Sequence, residues 1–251
     1  MMTGTPEFPK INLHIHTIYS DGRNDIETMV HKAKELNFDY IAITDHFSNA
    51  WKADIIKTLD SYKKINLYLE RIEAQNKVFI EEKVKLRVLK GIEIDLGSSK
   101  NYILKLIDPS KFDLILFEYL ESPESIGFIE NVIEQWINQT NSEKQLPIFG
   151  LAHFDPSTFI YGDIDILLTF LQKYDIYFEF NSAYSQFYAS KYQELFFDII
   201  KQHRIAVGMG ADSHNISELK YVKEPFQMII HYGLEQNLKM LINKLREISF
   251  Y

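Results

Sequence analysis

Seven short, almost uninterrupted apolar runs recur along the chain, at residues 11–13, 40–43, 86–92, 114–117, 148–152, 176–180 and 205–209. Runs without polar alternation belong to strands covered on both faces, which is the condition of a parallel sheet. The segments between them carry helical spacing. In residues 25–36, Ile26, Met29, Val30, Ala33 and Leu36 share one face, and Asp25 suits the N-terminal cap. Residues 53–80, 126–137, 164–172, 191–202 and 234–246 read as further helices. Strand–helix alternation leaves two architectures, a closed barrel and a doubly wound open sheet, and alternation alone does not separate them. The polar residues favour the barrel. His14 and His16, Asp45 and His46, Glu93, His153, and Asp212 and His214 all stand at or just past the carboxyl end of an apolar run. In a barrel those ends meet in one circle, whereas in an open sheet the outermost lie too far apart to share a cluster. An α/β barrel of seven β/α units in a single domain spanning residues 1–251 is therefore expected, with 215–251 as a helical end. The Lys/Glu-rich segment 53–80 directly follows Asp45-His46, so it is placed to cover part of a site there.

Composition narrows the function. The chain has no cysteine, which removes disulfides, thiolate metal sites and a cysteine nucleophile. No run of 18 apolar residues suggests a membrane span, and residues 1–9 lack the basic region and apolar core of a secretory signal, so a cytoplasmic protein is expected. A net charge of −8 argues against a broad grip on long nucleic acid. It leaves room for a small phosphorylated substrate, because bound cations can supply local positive charge. Residues 141–144 read as a polar surface loop.

His14 and His16 are two residues apart on one strand, so both imidazoles point to one face. Burying such a pair without a shared cation is costly. Five of the eight histidines lie at strand ends beside Asp21, Glu93 and Asp212, while His31, His203 and His231 fall in helical or loop segments and read as surface or packing residues. Imidazole with carboxylate suits Zn²⁺, Mn²⁺ or Fe²⁺. Eight candidate ligands (His14, His16, Asp21, His46, Glu93, His153, Asp212 and His214) exceed the four of one zinc site, which implies two or three ions. Clustered ions activate a shared water and clamp phosphoryl oxygens. No nucleophile elbow or phosphate-binding P-loop competes with this reading. Gly208-Met209-Gly210 reads as backbone freedom next to Asp212.

The series His14-x-His16-Thr17, Ser20-Asp21-Gly22, Thr44-Asp45-His46, Gly91-Ile92-Glu93, Ala152-His153 and Ala211-Asp212-Ser213-His214 resembles the PHP (polymerase and histidinol phosphatase) family, in that family's motif order from residue 11 to 214. The resemblance implies a distorted barrel, a cluster of up to three divalent ions and phosphoesterase chemistry. It further implies that His14, His16, Glu93 and Asp212 hold one ion, that Asp21, His46 and His214 hold another, and that Glu93 and His153 contribute to the remaining one. The chain departs from the family after the fourth strand. Leu120 falls where the family has a histidine, and Glu118, two residues earlier on the same strand face, is the candidate replacement; otherwise the site holds only two ions. Glu121 points the other way.

The implied activity is hydrolysis of a small phosphate monoester or diester through a metal-bound hydroxide, with Glu93, Asp212 and His214 as the catalytic set. Size brings the chain nearest to histidinol-phosphatase-like members. Glu179-Phe180-Asn181 resembles their Glu-x-Asn motif, which makes Asn181 a candidate substrate contact, but no basic residue follows until Lys191. Arg23, beside Asp21-Gly22, is a second candidate for the phosphate. Histidinol phosphatase proper and a non-catalytic metal-binding module are the alternatives. An amidohydrolase-like barrel also opens on HxH, but the early Ser-Asp-Gly and the closing Asp-x-His argue against it.

Overall fold

The chain is described by a computed structural model over residues 8–139, 146–159, 164–188 and 191–249, so the polar stretch at 141–144 lies outside the described residues. Eight parallel strands build the sheet: β1 (Ile11–Asn12), β2 (Tyr40–Ile43), β3 (His46–Phe47), β4 (Arg87–Asp95), β5 (Leu114–Glu118), β6 (Ile148–Leu151), β7 (Tyr177–Asn181) and β8 (Val207–Gly210). Neighbours run β1-β2-β4-β5-β6-β7-β8, with β3 also pairing β4. β2 and β3 both lie along β4, the first against Arg87–Lys90 and the second against Glu93–Ile94, and so act as one interrupted strand. The interruption explains why seven apolar runs give eight strands. At the break the Tyr68 hydroxyl lies 2.7 Å from the Ile43 carbonyl and 2.8 Å from that of Gly91.

The first and last strands meet beyond their named ends. Leu13 N–H donates to Met209 O at 2.9 Å, His16 N–H to Ser213 O at 2.9 Å, and Ser213 N–H to His14 O at 3.2 Å. These bonds bring the sheet round into a nearly closed barrel. The open-sheet alternative has no such contact between its edges.

Helices cover the outside: α1 (Ile26–Glu35), α2 (Tyr62–Glu81), α3 (Lys100–Leu106), α4 (Pro123–Gln139), α5 (Ile164–Lys173), α6 (Lys191–Gln202), α7 (Lys223–His231) and α8 (Glu235–Glu247). The Asp25 side chain caps α1 by accepting from Thr28 N–H at 2.8 Å. Four helices hand over to the next strand through a left-handed residue, Asn37, Lys83, Asp175 and Arg204 in turn. The expected helix at 53–80 is divided. A 3-10 turn at Trp51–Asp54 comes first, and α2 begins only at Tyr62. Between them Leu59 is buried and its N–H donates to His46 O at 2.8 Å, so tertiary packing overrides helical spacing there.

The barrel interior below the polar residues is apolar and tightly filled. Tyr177 and Glu179 share the inward face of β7. A Cβ at Gly150 would lie 2.5 Å from the Tyr177 ring, and one at Gly208 2.6 Å, so the ring occupies the space that two flanking strands leave by carrying glycine. Among the described residues the buried Tyr177 hydroxyl has no hydrogen-bond partner.

Candidate metal centre

The nine expected metal-binding side chains lie in one connected cluster of overlapping donor groupings, two of which contain Glu93. The Glu93 carboxylate is wholly buried, and among the described residues neither of its oxygens has a hydrogen-bond partner. Around it stand His14 Nε2 at 3.3 Å, His16 Nε2 at 3.5 Å, His46 Nδ1 at 2.8 Å and His153 Nε2 at 3.2 Å. Asp212 Oδ1 lies 3.5 Å from His14 Nε2 and 3.0 Å from His16 Nε2. A second grouping shares His16. Asp21 lies 3.7 Å from His16 Nδ1, 3.6 Å from His46 Nε2 and 3.1 Å from His214 Nε2. A third is formed by His46, Glu93 and Glu118, with Glu118 Oε1 3.4 Å from His46 Nδ1.

A buried carboxylate without a hydrogen-bonded proton and imidazole nitrogens that face one another are each unfavourable alone. Nitrogen and carboxylate oxygen donors converging on common points are what Zn²⁺, Mn²⁺ or Fe²⁺ would use, so the residues present fit divalent ions.

The rings are fixed from behind. Glu179 lies 3.0 and 3.1 Å from His14 Nδ1, so that nitrogen carries a proton and Nε2 is the one that faces the cluster. Glu179 also accepts from the His153 N–H at 2.8 Å and from the Asn181 amide at 3.1 Å. Asp212 O accepts from His214 Nδ1 at 2.8 Å, which leaves Nε2 of that ring facing Asp21. Asp45 is not part of the donor cluster. Its carboxylate accepts from Thr17 N–H and Oγ1 at 2.8 and 2.7 Å, and from Ser20 N–H and Oγ at 3.0 and 2.6 Å, holding the turn that presents Asp21.

Charge follows this arrangement. Burial pushes the His14 imidazole down, but Glu179, Glu93 and Asp212 outweigh it and hold it well above the ordinary value. Burial likewise opposes the charge on His214, and Asp21 and Asp212 overcome it, raising the ring to about 9. His16 moves down, through burial and the neighbouring His46. Burial opposes the ionised Glu93 as well, yet the rings of His14 and His46 hold it well below the usual carboxylate range. His153, Asp212 and Tyr119 adopt left-handed backbone at φ 32°, 46° and 66°. Such conformations store strain and cluster at functional sites.

Asn181 is wholly buried on the Nδ1 side of His14, its amide N–H donating to Glu179 at 3.1 Å and its Oδ1 accepting from the Ala183 N–H at 3.0 Å. The reading of residues 208–210 as backbone freedom is corrected at Gly210. Gly210 serves space: a Cβ there would lie 1.9 Å from Glu179 Oε1, so glycine is what allows Glu179 to reach His14. Arg23 is exposed, with its N–H bonded to His214 O at 2.7 Å. Leu120 is buried in the apolar core, and His31, His203 and His231 are exposed and outside the cluster.

Sequence reasoning missed Lys52. This buried ammonium contacts both Glu118 oxygens, at 2.7 and 2.6 Å, and lies 3.4 Å from His46 Nδ1. Nothing in local composition marks it, because a lysine in a charged segment reads as solvated. Glu179 was visible only as part of a motif, without its role. Asp212 and His214 open on a cavity of about 820 Å³ that is also lined by Lys220, Tyr221, Lys223 and Gln227.

The model of the PHP domain matches residues 12–196, ending before Asp212 and His214, which the closure of the barrel returns to the cluster. No curated protein sequence matches the chain. Among solved structures it is similar to a candidate histidinol phosphatase, hisK, from Listeria monocytogenes, at 17% identity and TM-score 0.59, covering 84% of this chain and 97% of that one. It is also similar to the histidinol phosphate phosphatase of Lactococcus lactis in complex with zinc, L-histidinol and phosphate, at 16% identity and TM-score 0.57, covering 89% of this chain and 94% of that one. At these identities the likeness is one of fold.

Proposed function

The chain belongs to the PHP domain family, and on that premise we propose that it is a metal-dependent phosphoesterase acting on a small phosphate monoester or diester. The observation that carries the reading is Glu93, a buried carboxylate with no hydrogen bond, ringed by imidazole nitrogens. His14, His16, Glu93 and Asp212 would hold one ion, and Asp21, His46 and His214 a second, with His153 and Glu118 beside Glu93. Two or three divalent ions, when bound, would supply an activated water and neutralise the charge gathering on the phosphoryl oxygens.

The protein's own groups do the rest. Asp212 reaches both the cluster and the adjoining cavity, and the His14 and His16 rings keep its carboxylate ionised against burial, so it would orient the attacking water by accepting a hydrogen bond from it. Glu179 keeps His14 in one tautomer and orientation. The cavity lining is of mixed charge, with Lys220 and Lys223 beside Glu218 and Glu224, so the two lysines are the side chains there that could pair with a phosphate. The segment after Asn181 carries no cation through Tyr188. The bacterial neighbour crystallised with zinc, L-histidinol and phosphate lends support to zinc as one usable ion.

The test is a screen of phosphorylated metabolites with Mn²⁺, Zn²⁺ and Fe²⁺ in turn, together with His14→Ala, His46→Ala and Asp212→Ala. Hydrolysis by the wild type, lost in all three variants while their circular dichroism is unchanged, is expected. Hydrolysis retained in all three would refute the proposal.

A further inference from the structure

Glu118 stands where the sequence pattern expects a histidine two residues later, and its carboxylate does turn into the cluster. Its oxygens are already engaged. Lys52 Nζ lies 2.7 and 2.6 Å from them and 3.4 Å from His46 Nδ1, in contact with two of the three side chains that form the third donor grouping. A divalent ion sits roughly 2.0–2.2 Å from oxygen and nitrogen donors. An ion on Glu118 and His46 would therefore stand directly against the ammonium. Two cations that close repel, and a buried carboxylate satisfied by one has no need of the other.

Lys52 does not reach the site by a loose excursion of a surface side chain. It is 7% exposed, within the 3-10 turn Trp51–Asp54. Its carbonyl accepts from the N–H groups of Ile55 and Ile56, both at 3.0 Å, and its ammonium stands 5.0 Å from the centre of the Tyr119 ring. Upstream, Ser48 Oγ donates to Asp95 at 2.7 Å, tying the segment after His46 to the end of β4. The lysine is built into the wall of the cluster.

We propose that the Lys52 ammonium permanently occupies the third cation position, so that the centre takes two exchangeable divalent ions and one fixed monovalent charge. The inference rests on the reading of the cluster as a metal centre. Glu118 is then the counter-ion of Lys52 and ligates no metal.

Native mass spectrometry of the whole chain loaded with excess Mn²⁺ counts the ions directly. The wild type should hold two, Lys52→Met three, and the double variant Lys52→Met/Glu118→Gln two. Three ions in the wild type, or two in Lys52→Met, would overturn the inference while leaving the metal centre intact. Should Lys52→Met fail to fold, Glu118→Gln alone decides: a count unchanged from the wild type supports the inference, and a count reduced by one overturns it. A wild type that binds no ion at all refutes the metal centre itself, a separate result.

Discussion

Glu179 grips the Nδ1 edge of His14 with both carboxylate oxygens, and it can do so only because residue 210 has no side chain. Replacing Glu179 by Gln should lower affinity for Mn²⁺ or Zn²⁺ by about 10–100-fold, the usual effect of losing the partner behind a ligating imidazole. Gly210→Ala should act in the same direction by driving Glu179 away. Titration calorimetry checks both; unchanged affinity in Glu179→Gln would remove its positioning role.

Metal should stabilise the fold. At free metal about 1,000 times its dissociation constant, binding contributes roughly 4 kcal/mol. For a chain of this size that is about 8–16 °C in melting temperature. Thermal unfolding with and without a chelator reads the shift, and His16→Ala, which removes a donor from two groupings, should abolish most of it.

His214 gives the metal-free protein a pH dependence of known sign. Its folded value is raised to about 9 from 6.5. Its stabilising contribution is therefore complete below pH 6.5 and is lost as pH climbs through 9. Metal must displace that proton, so affinity should rise with pH across the same window, with proton release on binding. Calorimetry in buffers of different ionisation enthalpy measures the released protons. A pH-independent affinity between 6.5 and 9 would contradict the assignment of His214 to the centre.

Asp45→Ala should cost roughly 3 kcal/mol or more, since it leaves donors of Thr17 and Ser20 buried without an acceptor. Tyr177→Phe should do the reverse. Its hydroxyl has no partner, so removing it should be neutral or stabilising by up to about 2 kcal/mol. Urea unfolding measures both.

The strand order and most of the cluster were legible because each depends on one-dimensional patterns. Apolar runs mark the strands, and chemistry-bearing residues stand at their ends. What escaped depends on distance across the barrel. Lys52 reaches Glu118 across 66 positions, Glu179 reaches His14 across 165, and neither spacing has a local signature. Tyr68 falls inside the expected helix at 53–80, and nothing in that spacing marks it as the residue that secures the break between β2 and β3. Gly208-Met209-Gly210 reads in sequence as backbone freedom, and the steric reason for glycine at 210 appears only once Glu179 is seen beside it.

The meeting of the first and last strands sets an order of events. Asn12 and Ser213 are hydrogen-bonded at 3.3 Å across 201 residues, and the His14–His16 pair faces Asp212 only through that seam. During synthesis the first donors emerge long before the last. Ions taken up early would find two imidazoles and no cage, and a chain truncated ahead of Asp212 would hold them loosely. Metal loading therefore reports the final step of folding, and a fully loaded molecule is one whose barrel has shut.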